Sequence, residues 1–341
     1  MRRIAVAKPC DRRVPPDPIF VEGLSLTRHG PRVAEFHIGA QAVRCKSNLI
    51  GVSLQAIPEI DFTNPDALIA ALLPAVREAG RVEMAHFKKG VEIEQKADRS
   101  PVTVADREAE AVLLAALSQI APGIQLVAEE DIAAGATPGY ARRFFLIDAL
   151  DGTRLFIRGK PEFSINVAFV EDGRAAFGLI FLPPSERLFV TRSDGAAYEA
   201  RLPLSGDDAL SSLNFKKIVT RAPDCNALVA FNSRSTGGAS AHLLAELNVH
   251  EARPLGSAMK FCLIAAGEGD LYARFGETCE WDTAAGQAIL EAAGGSVTTL
   301  DGKPLTYGHF ARGFRNPHFV AWGRQPLWRS GDEAGTNVRG A

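Results

Sequence analysis

Phe144-Phe145-Leu146-Ile147 is a short, wholly apolar run that stops on two aspartates, Asp148 and Asp151, with Gly152 and Thr153 directly behind them. A run without polar alternation reads as a strand buried on both faces. Such a strand has no reason to finish on two carboxylates unless something there needs negative charge, because desolvated charge is costly when unpaired. Two neighbouring carboxylates also repel each other, and a cation is the usual remedy. Gly152 permits a sharp turn and lets a ligand approach the backbone closely. Thr153 is placed to cap a following helix whose free amides would face an anion. A hard cation beside an anion pocket points to phosphate chemistry with magnesium.

Other segments supply matching pieces. Ile124-Gln125-Leu126-Val127-Ala128 is a second short apolar run, and it ends in Glu129-Glu130-Asp131. Trp281-Asp282 opens the small-residue run Thr283-Ala284-Ala285-Gly286, where Asp282 reads as the N-cap of a closely packed helix. Each acidic group alone reads most simply as a cap. Three of them at the ends of apolar elements read as one metal site. Ser100-Pro101-Val102-Thr103 reads as an extended turn, and from Asp106 a helical stripe runs through Ala109, Val112, Leu113 and Leu117. Asp106 would either cap that helix or hold a threonine hydroxyl or a water near the metal. Gly256-Ser257 stands before a further helical pattern and offers a second helix start to the pocket. Lys260, one turn in, would reach a phosphate or snorkel along the surface. Arg274 reads as a weaker candidate of the same kind.

With 341 residues, 46% hydrophobic content and a net charge of -2, the chain can bury a large core and carries no basic excess for nucleic acid or a membrane surface. The five cysteines (Cys10, Cys45, Cys225, Cys262, Cys279) lack CxxC spacing, which fits a reducing cytoplasm and gives no support to a zinc or disulfide framework. No apolar stretch approaches the ~20 residues that span a bilayer. Residues 1–61, with Arg2, Arg3 and Arg12-Arg13-Val14-Pro15-Pro16, lack a sustained period and read as a poorly ordered extension. Residues 330–341 read as a disordered tail. Leu68, Leu72, Leu73 and Val76 mark a first amphipathic helix. Short β-rich runs over 163–200, broken by Glu171-Asp172-Gly173 and Pro183-Pro184, read as antiparallel hairpins. Beyond about residue 216, apolar runs such as Leu228–Phe231 alternate with helical stretches such as Ala239–Leu247. This gives two domains, 62–215 carrying the acidic groups and 216–329 of α/β type.

Taken together, Ser-Pro-Val-Thr-x-Ala-Asp, Glu-Glu-Asp, Asp-x-Leu-Asp-Gly-Thr and Trp-Asp-Thr-Ala-Ala-Gly resemble the motifs of the magnesium-dependent, lithium-sensitive phosphatases of the inositol monophosphatase superfamily. The likeness covers roughly residues 62–325. Gly256-Ser257-Ala258-Met259-Lys260-Phe261-Cys262 and Leu271-Tyr272-Ala273-Arg274-Phe275-Gly276 are similar to its bacterial 3'(2'),5'-bisphosphate nucleotidase branch. The resemblance implies an α/β layered sandwich, with helices alternating with two β-sheets and the active site between two halves. It implies two or three Mg2+ ions held by Glu129, Asp148, Asp151, Asp282 and the Leu150 carbonyl. Glu129, Thr153 and Asp106 would orient and deprotonate the attacking water. Gly152 and Thr153 would offer amides to the scissile phosphate, and Gly256, Ser257 and Lys260 would contact the substrate, a small phosphate ester such as a nucleotide bisphosphate. The resemblance makes a homodimer plausible. Ala149 stands where the family usually has proline, and Arg154-Leu155-Phe156 replaces Lys-Glu-Phe. Arg158 and Lys160, in the next loop, would be solvated or would contact a second phosphate.

Overall fold

The computed structural model describes residues 36–38, 41–43, 61, 64–89, 93–95, 101–207, 209–234, 238–324, 326 and 327. Its contacts divide the chain into two units, residues 1–55 and 56–341. In the first, β1 (Phe36–Ile38) pairs antiparallel with β2 (Gln41–Val43). Apart from this hairpin and Asp61, the expectations for 1–61 and 330–341 lie outside the described residues.

The second unit opens with α1 (Pro65–Lys89), the two-stranded ribbon β3 (Ile93–Gln95) and β4 (Pro101–Thr103), and α2 (Val104–Ile120). Next come β5 (Gln125–Ala128), α3 (Glu129–Ala133), β6 (Arg143–Asp151), α4 (Thr153–Ile157), β7 (Ser164–Glu171), β8 (Arg174–Leu182), β9 (Arg187–Thr191), β10 (Ala197–Arg201) and β11 (Lys216–Ile218). The remainder is β12 (Val229–Ser233), α5 (Gly238–Glu246), β13 (Glu251–Leu255), α6 (Met259–Ala265), β14 (Leu271–Arg274), α7 (Ala284–Ala292), β15 (Ser296–Thr299) and β16 (Phe319–Trp322).

Strands β5 to β11 form a seven-stranded sheet in sequential order, antiparallel except for the parallel β5–β6 pair. The apolar run of β6 serves two separate cores. Phe145, Ile147 and Ala149 pack with α1 and α2, and Phe144 and Leu146 pack with α6 and α7. Alternate side chains of a strand face opposite sides, so a strand between two helical layers has to be apolar throughout. The five-stranded sheet, in order β13-β12-β14-β16-β15, covers the far side of α6 and α7 through Phe231, Tyr272 and Phe319, and its outer face packs on α5. The layers run helix, sheet, helix, sheet, helix, as the layered α/β reading expected. One core spans both sheets, and the first sheet takes in Lys216–Ile218.

Small residues let α7 sit between the sheets. A Cβ on Gly178 of β8 would lie 2.3 Å from the Ala285 carbonyl oxygen. Leu68, Leu72, Leu73 and Val76 are buried, as are Ala109, Leu113 and Leu117, while Val112 is half-buried against the same core. The Asp172-Gly173 turn has both residues at positive φ (49° and 77°), which matches the twist of a tight hairpin. Two expected caps shift by one residue. The helix after the elbow is capped by Gly152, with Thr153 its first residue, and α7 is capped by Thr283 rather than Asp282. Cys225, Cys262 and Cys279 are free thiols, and among the described residues no helix is long and apolar enough to cross a membrane.

Candidate active site

Between β6 and β7 the pairing passes from Asp148 opposite Asn166 to Asp151 opposite Ser164, three steps on one strand against two on the other. Residues three apart in a regular strand point to opposite faces. The extra residue is a β-bulge, which re-aims the side chains beyond it, and both aspartates face the same acidic group. The Asp148 carboxylate accepts the Leu150 N–H (3.0 Å) and fixes the bulge. Gly152 then turns the chain at φ 102°, where a Cβ would lie 2.7 Å from the Glu162 carbonyl oxygen. Only glycine fits there, on both conformational and steric grounds.

The Thr153 hydroxyl lies 2.9 Å from Asp106 Oδ1 and 3.2 Å from the Leu150 carbonyl oxygen. Asp106 Oδ2 accepts from the Thr103 N–H (2.8 Å) and hydroxyl (2.6 Å), completing a capping box at the start of α2. Asp106 thus fills both of its candidate roles: it closes the cap and holds a threonine hydroxyl. Burial pushes its pKa above the usual carboxylate range, against the pull of these hydrogen bonds.

Carboxylate oxygens of Glu129, Asp148 and Asp282 lie within 4.8 Å of one another. Glu129 opens α3 directly after β5, and α3 is held by Glu110 of α2, which accepts the N–H groups of Glu130 (2.9 Å) and Asp131 (3.1 Å). Burial pushes Glu110 up to about 8. Asp282 ends a short 3-10 turn and accepts the Cys279 N–H (2.8 Å). That turn is anchored by the fully buried Glu280, which accepts the N–H groups of Gly308 (2.7 Å) and His309 (2.8 Å). Asp151 stands beside the group, with Asn166 Nδ2 at 3.5 Å. Burial and the repulsion of neighbouring carboxylates raise Asp151 and Asp282, although Lys260 pulls Asp151 back down. Burial and the adjacent Asp282 push the Cys279 thiol up to about 12. The buried Asp148 and the half-buried Glu129 and Asp282, all oxygen donors of like charge, fit a hard cation such as Mg2+.

Lys260 is no snorkelling surface lysine. It is buried, donates to the carbonyls of Ser257 (2.6 Å) and Leu255 (3.3 Å), and sits 4.8 Å from the centre of the Tyr272 ring. Burial lowers its pKa to about 8, with Asp151 opposing. Gly256 donates its N–H to Glu162 (2.8 Å), and the Ser257 hydroxyl accepts the Met259 N–H (3.2 Å). Arg274 is held by the Ser233 hydroxyl and the Glu277 carbonyl, both at 2.6 Å. Arg158 and Lys160 are exposed and form no ion pair among the described residues. Sequence reasoning gave no role to Glu110, Asn166, Glu162 or Arg234. Their partners lie 15 to 94 positions away, so no local pattern marks them.

Residues 64–321 match the family described as the inositol monophosphatase family. The 3'(2'),5'-bisphosphate nucleotidase CysQ of Salmonella typhimurium is 36% identical over 232 residues, 68% of this chain and 89% of that protein. CysQ of Escherichia coli K12 is 34% identical over the same coverage. Among solved structures, CysQ from Bacteroides thetaiotaomicron superposes with a TM-score of 0.62 at 27% identity, covering 76% of this chain and 98% of that one. An inositol monophosphatase from Zymomonas mobilis gives 0.58, also at 27% identity, covering 75% and 92%. By its matched length and by the identity it shares with these relatives, the chain belongs to the inositol monophosphatase family.

Proposed function

We propose that the protein is a Mg2+-dependent phosphomonoesterase that removes the 3'-phosphate of adenosine 3',5'-bisphosphate, giving AMP and phosphate. The observation that carries this reading is the convergence of Glu129, Asp148 and Asp282 beside an elbow whose threonine hydroxyl is bonded to a buried aspartate. Glu129, Asp148, Asp151, Asp282 and the Leu150 carbonyl would hold the ions. Mg2+ bound there would polarise the phosphoryl oxygens and stabilise the leaving alkoxide.

The chain's own groups supply the rest. Thr153 donates its hydroxyl proton to Asp106 Oδ1, which leaves the oxygen's lone pairs free to accept a hydrogen bond from the attacking water. Asp106, raised by burial, is a better proton acceptor than an exposed aspartate and takes the water's proton through that hydroxyl. Glu129 orients the same water, and the amides of Gly152 and Thr153 face the scissile phosphate. The nucleotide reading is supported by the CysQ relatives at 34–36% identity. A cytoplasmic setting is supported by free, scattered cysteines, and a homodimer is proposed on family resemblance alone.

Phosphate release from adenosine 3',5'-bisphosphate and inositol 1-phosphate, with and without Mg2+, tests the reading. Mg2+-dependent preference for the nucleotide supports it. Preference for inositol 1-phosphate keeps the site and discards the nucleotide, and no release from either leaves the fold standing and turns the reading to another phosphate ester or to a silent binding protein.

A further inference from the structure

The geometry points to Arg234 as the residue that reads the second, non-scissile phosphate of the substrate; this rests on the phosphatase reading above. Arg234 follows β12 directly and is bonded through Nε (3.0 Å) and Nη2 (2.5 Å) to the two oxygens of Glu162. Its side chain remains 44% exposed. Nη1 makes no hydrogen bond among the described residues, so two N–H donors stay available in a fixed orientation. An arginine locked this way loses little further freedom on binding, and its planar donors match phosphate oxygens.

Glu162 sets the distance from the chemistry. Its carbonyl oxygen packs against Gly152 of the elbow, its carboxylate accepts the Gly256 N–H, and the same carboxylate holds Arg234. The arginine pulls Glu162 below the ordinary glutamate range, so the pair stays ionised. One residue therefore separates the anion site at the elbow from the free edge of the guanidinium. Pairing with Glu162 cancels the net charge of Arg234 but not its directed donors, and Lys260 and Arg274 add positive charge nearby. The same strand ends carry two buried polar atoms without a partner among the described residues, Asn232 Oδ1 and Arg274 Nε. Orphaned polar atoms of this kind are uncommon in folded proteins, and here they mark a region whose polar partners are incomplete until something binds. A substrate with one phosphate would leave Arg234 facing water, whereas a bisphosphate fills both ends.

The test is the ratio of kcat/KM for adenosine 3',5'-bisphosphate to that for adenosine 3'-monophosphate, in wild type, Arg234→Gln and Arg234→Lys, each with its melting temperature. The wild type should favour the bisphosphate. In Arg234→Gln the ratio should fall about tenfold or more, the scale of one charge-assisted hydrogen bond, through KM for the bisphosphate. Arg234→Lys should fall in between. An unchanged ratio, or an equal loss on both substrates, overturns the inference and leaves Arg234 a structural partner of Glu162. If the wild type cleaves neither nucleotide, inositol 1,4-bisphosphate and inositol 1-phosphate give the same ratio. The nucleotide reading then fails, while Arg234 still stands or falls on its own result.

Discussion

Each of the two large sheets has one parallel portion, and the carboxyl ends of those strands carry opposite charge. In the seven-stranded sheet, β5 and β6 run parallel and end in Glu129 and Asp148–Asp151. In the five-stranded sheet, β12 lies parallel to β13 and β14, whose ends carry Arg234, Gly256 and Arg274. Carboxyl ends of parallel strands are where open sheets take up ligands. The first sheet supplies the acidic pole and the second a cationic one. The two are joined by Glu162 to Arg234 and by the attraction between Lys260 and Asp151. A phosphate ester needs both: cations held by acids for the bond that breaks, and donors for the anion that stays.

The largest break in that contrast is Asp151→Asn, which removes one charge from the acidic pole. Turnover at saturating Mg2+ should fall on the order of 10³-fold, as when a preorganised electrostatic group is lost. Near-normal phosphate release would mean that the acidic pole does not hold the cation. Thr153→Val keeps the shape of the elbow and removes the hydroxyl that Asp106 holds, so kcat should drop on the order of 10²-fold. Wild-type activity should also rise with pH through the raised Asp106 value, since the reaction needs that carboxylate ionised. This limb should disappear from the pH profile of the valine variant.

Gly178→Ala tests the helical layer between the sheets instead of either pole. Its new Cβ meets the Ala285 carbonyl at 2.3 Å, and overpacking of this kind costs about 1–3 kcal/mol of stability in chemical denaturation. The smallest effect is expected at Glu83, which feels the acidic pole only through the charge of Asp106. It is fully buried on α1, neither oxygen has a hydrogen-bond partner among the described residues, and burial and the charge of Asp106 hold its pKa well above the usual value. A carboxyl raised in the folded state favours folding below its unfolded pKa and loses that contribution as pH climbs toward the folded value. Glu83→Gln should therefore gain stability over wild type as pH rises above the ordinary glutamate value of 4.5. A constant difference in melting temperature across that range would assign Glu83 an unseen partner.

The acidic pole was legible because apolar runs that stop on carboxylates break the pattern of a buried strand, as at Glu129 and Asp148, and because Asp282 opens a small-residue helical run. The cationic pole was legible only in part: Gly256, Lys260 and Arg274 stood out as candidates for the pocket, but nothing marked Arg234 or the burial of Lys260. Lys260 sits in a helix whose burial on all sides is invisible until two sheets close over it, and Arg234 gains meaning only from Glu162, 72 positions earlier. The caps slipped by one residue because aspartate is a good cap in general, whereas here Asp282 accepts the Cys279 N–H of the preceding turn and Gly152 turns the chain in place of Thr153. Layering could be read from the runs themselves, since β6 is apolar from Phe144 to Ile147, the stretch that lies between two helical faces.

The bulge between Asp148 and Asp151 makes the centre depend on parity. Two carboxylates an odd number of residues apart meet on one side only because one extra residue is counted into β6. Deleting Ala149 alone would leave the two aspartates two apart, which a regular ladder also places on one side, so the odd spacing and the bulge stand or fall together. A residue inserted or removed elsewhere in the stretch changes one without the other, so it should tolerate substitution far better than insertion or deletion.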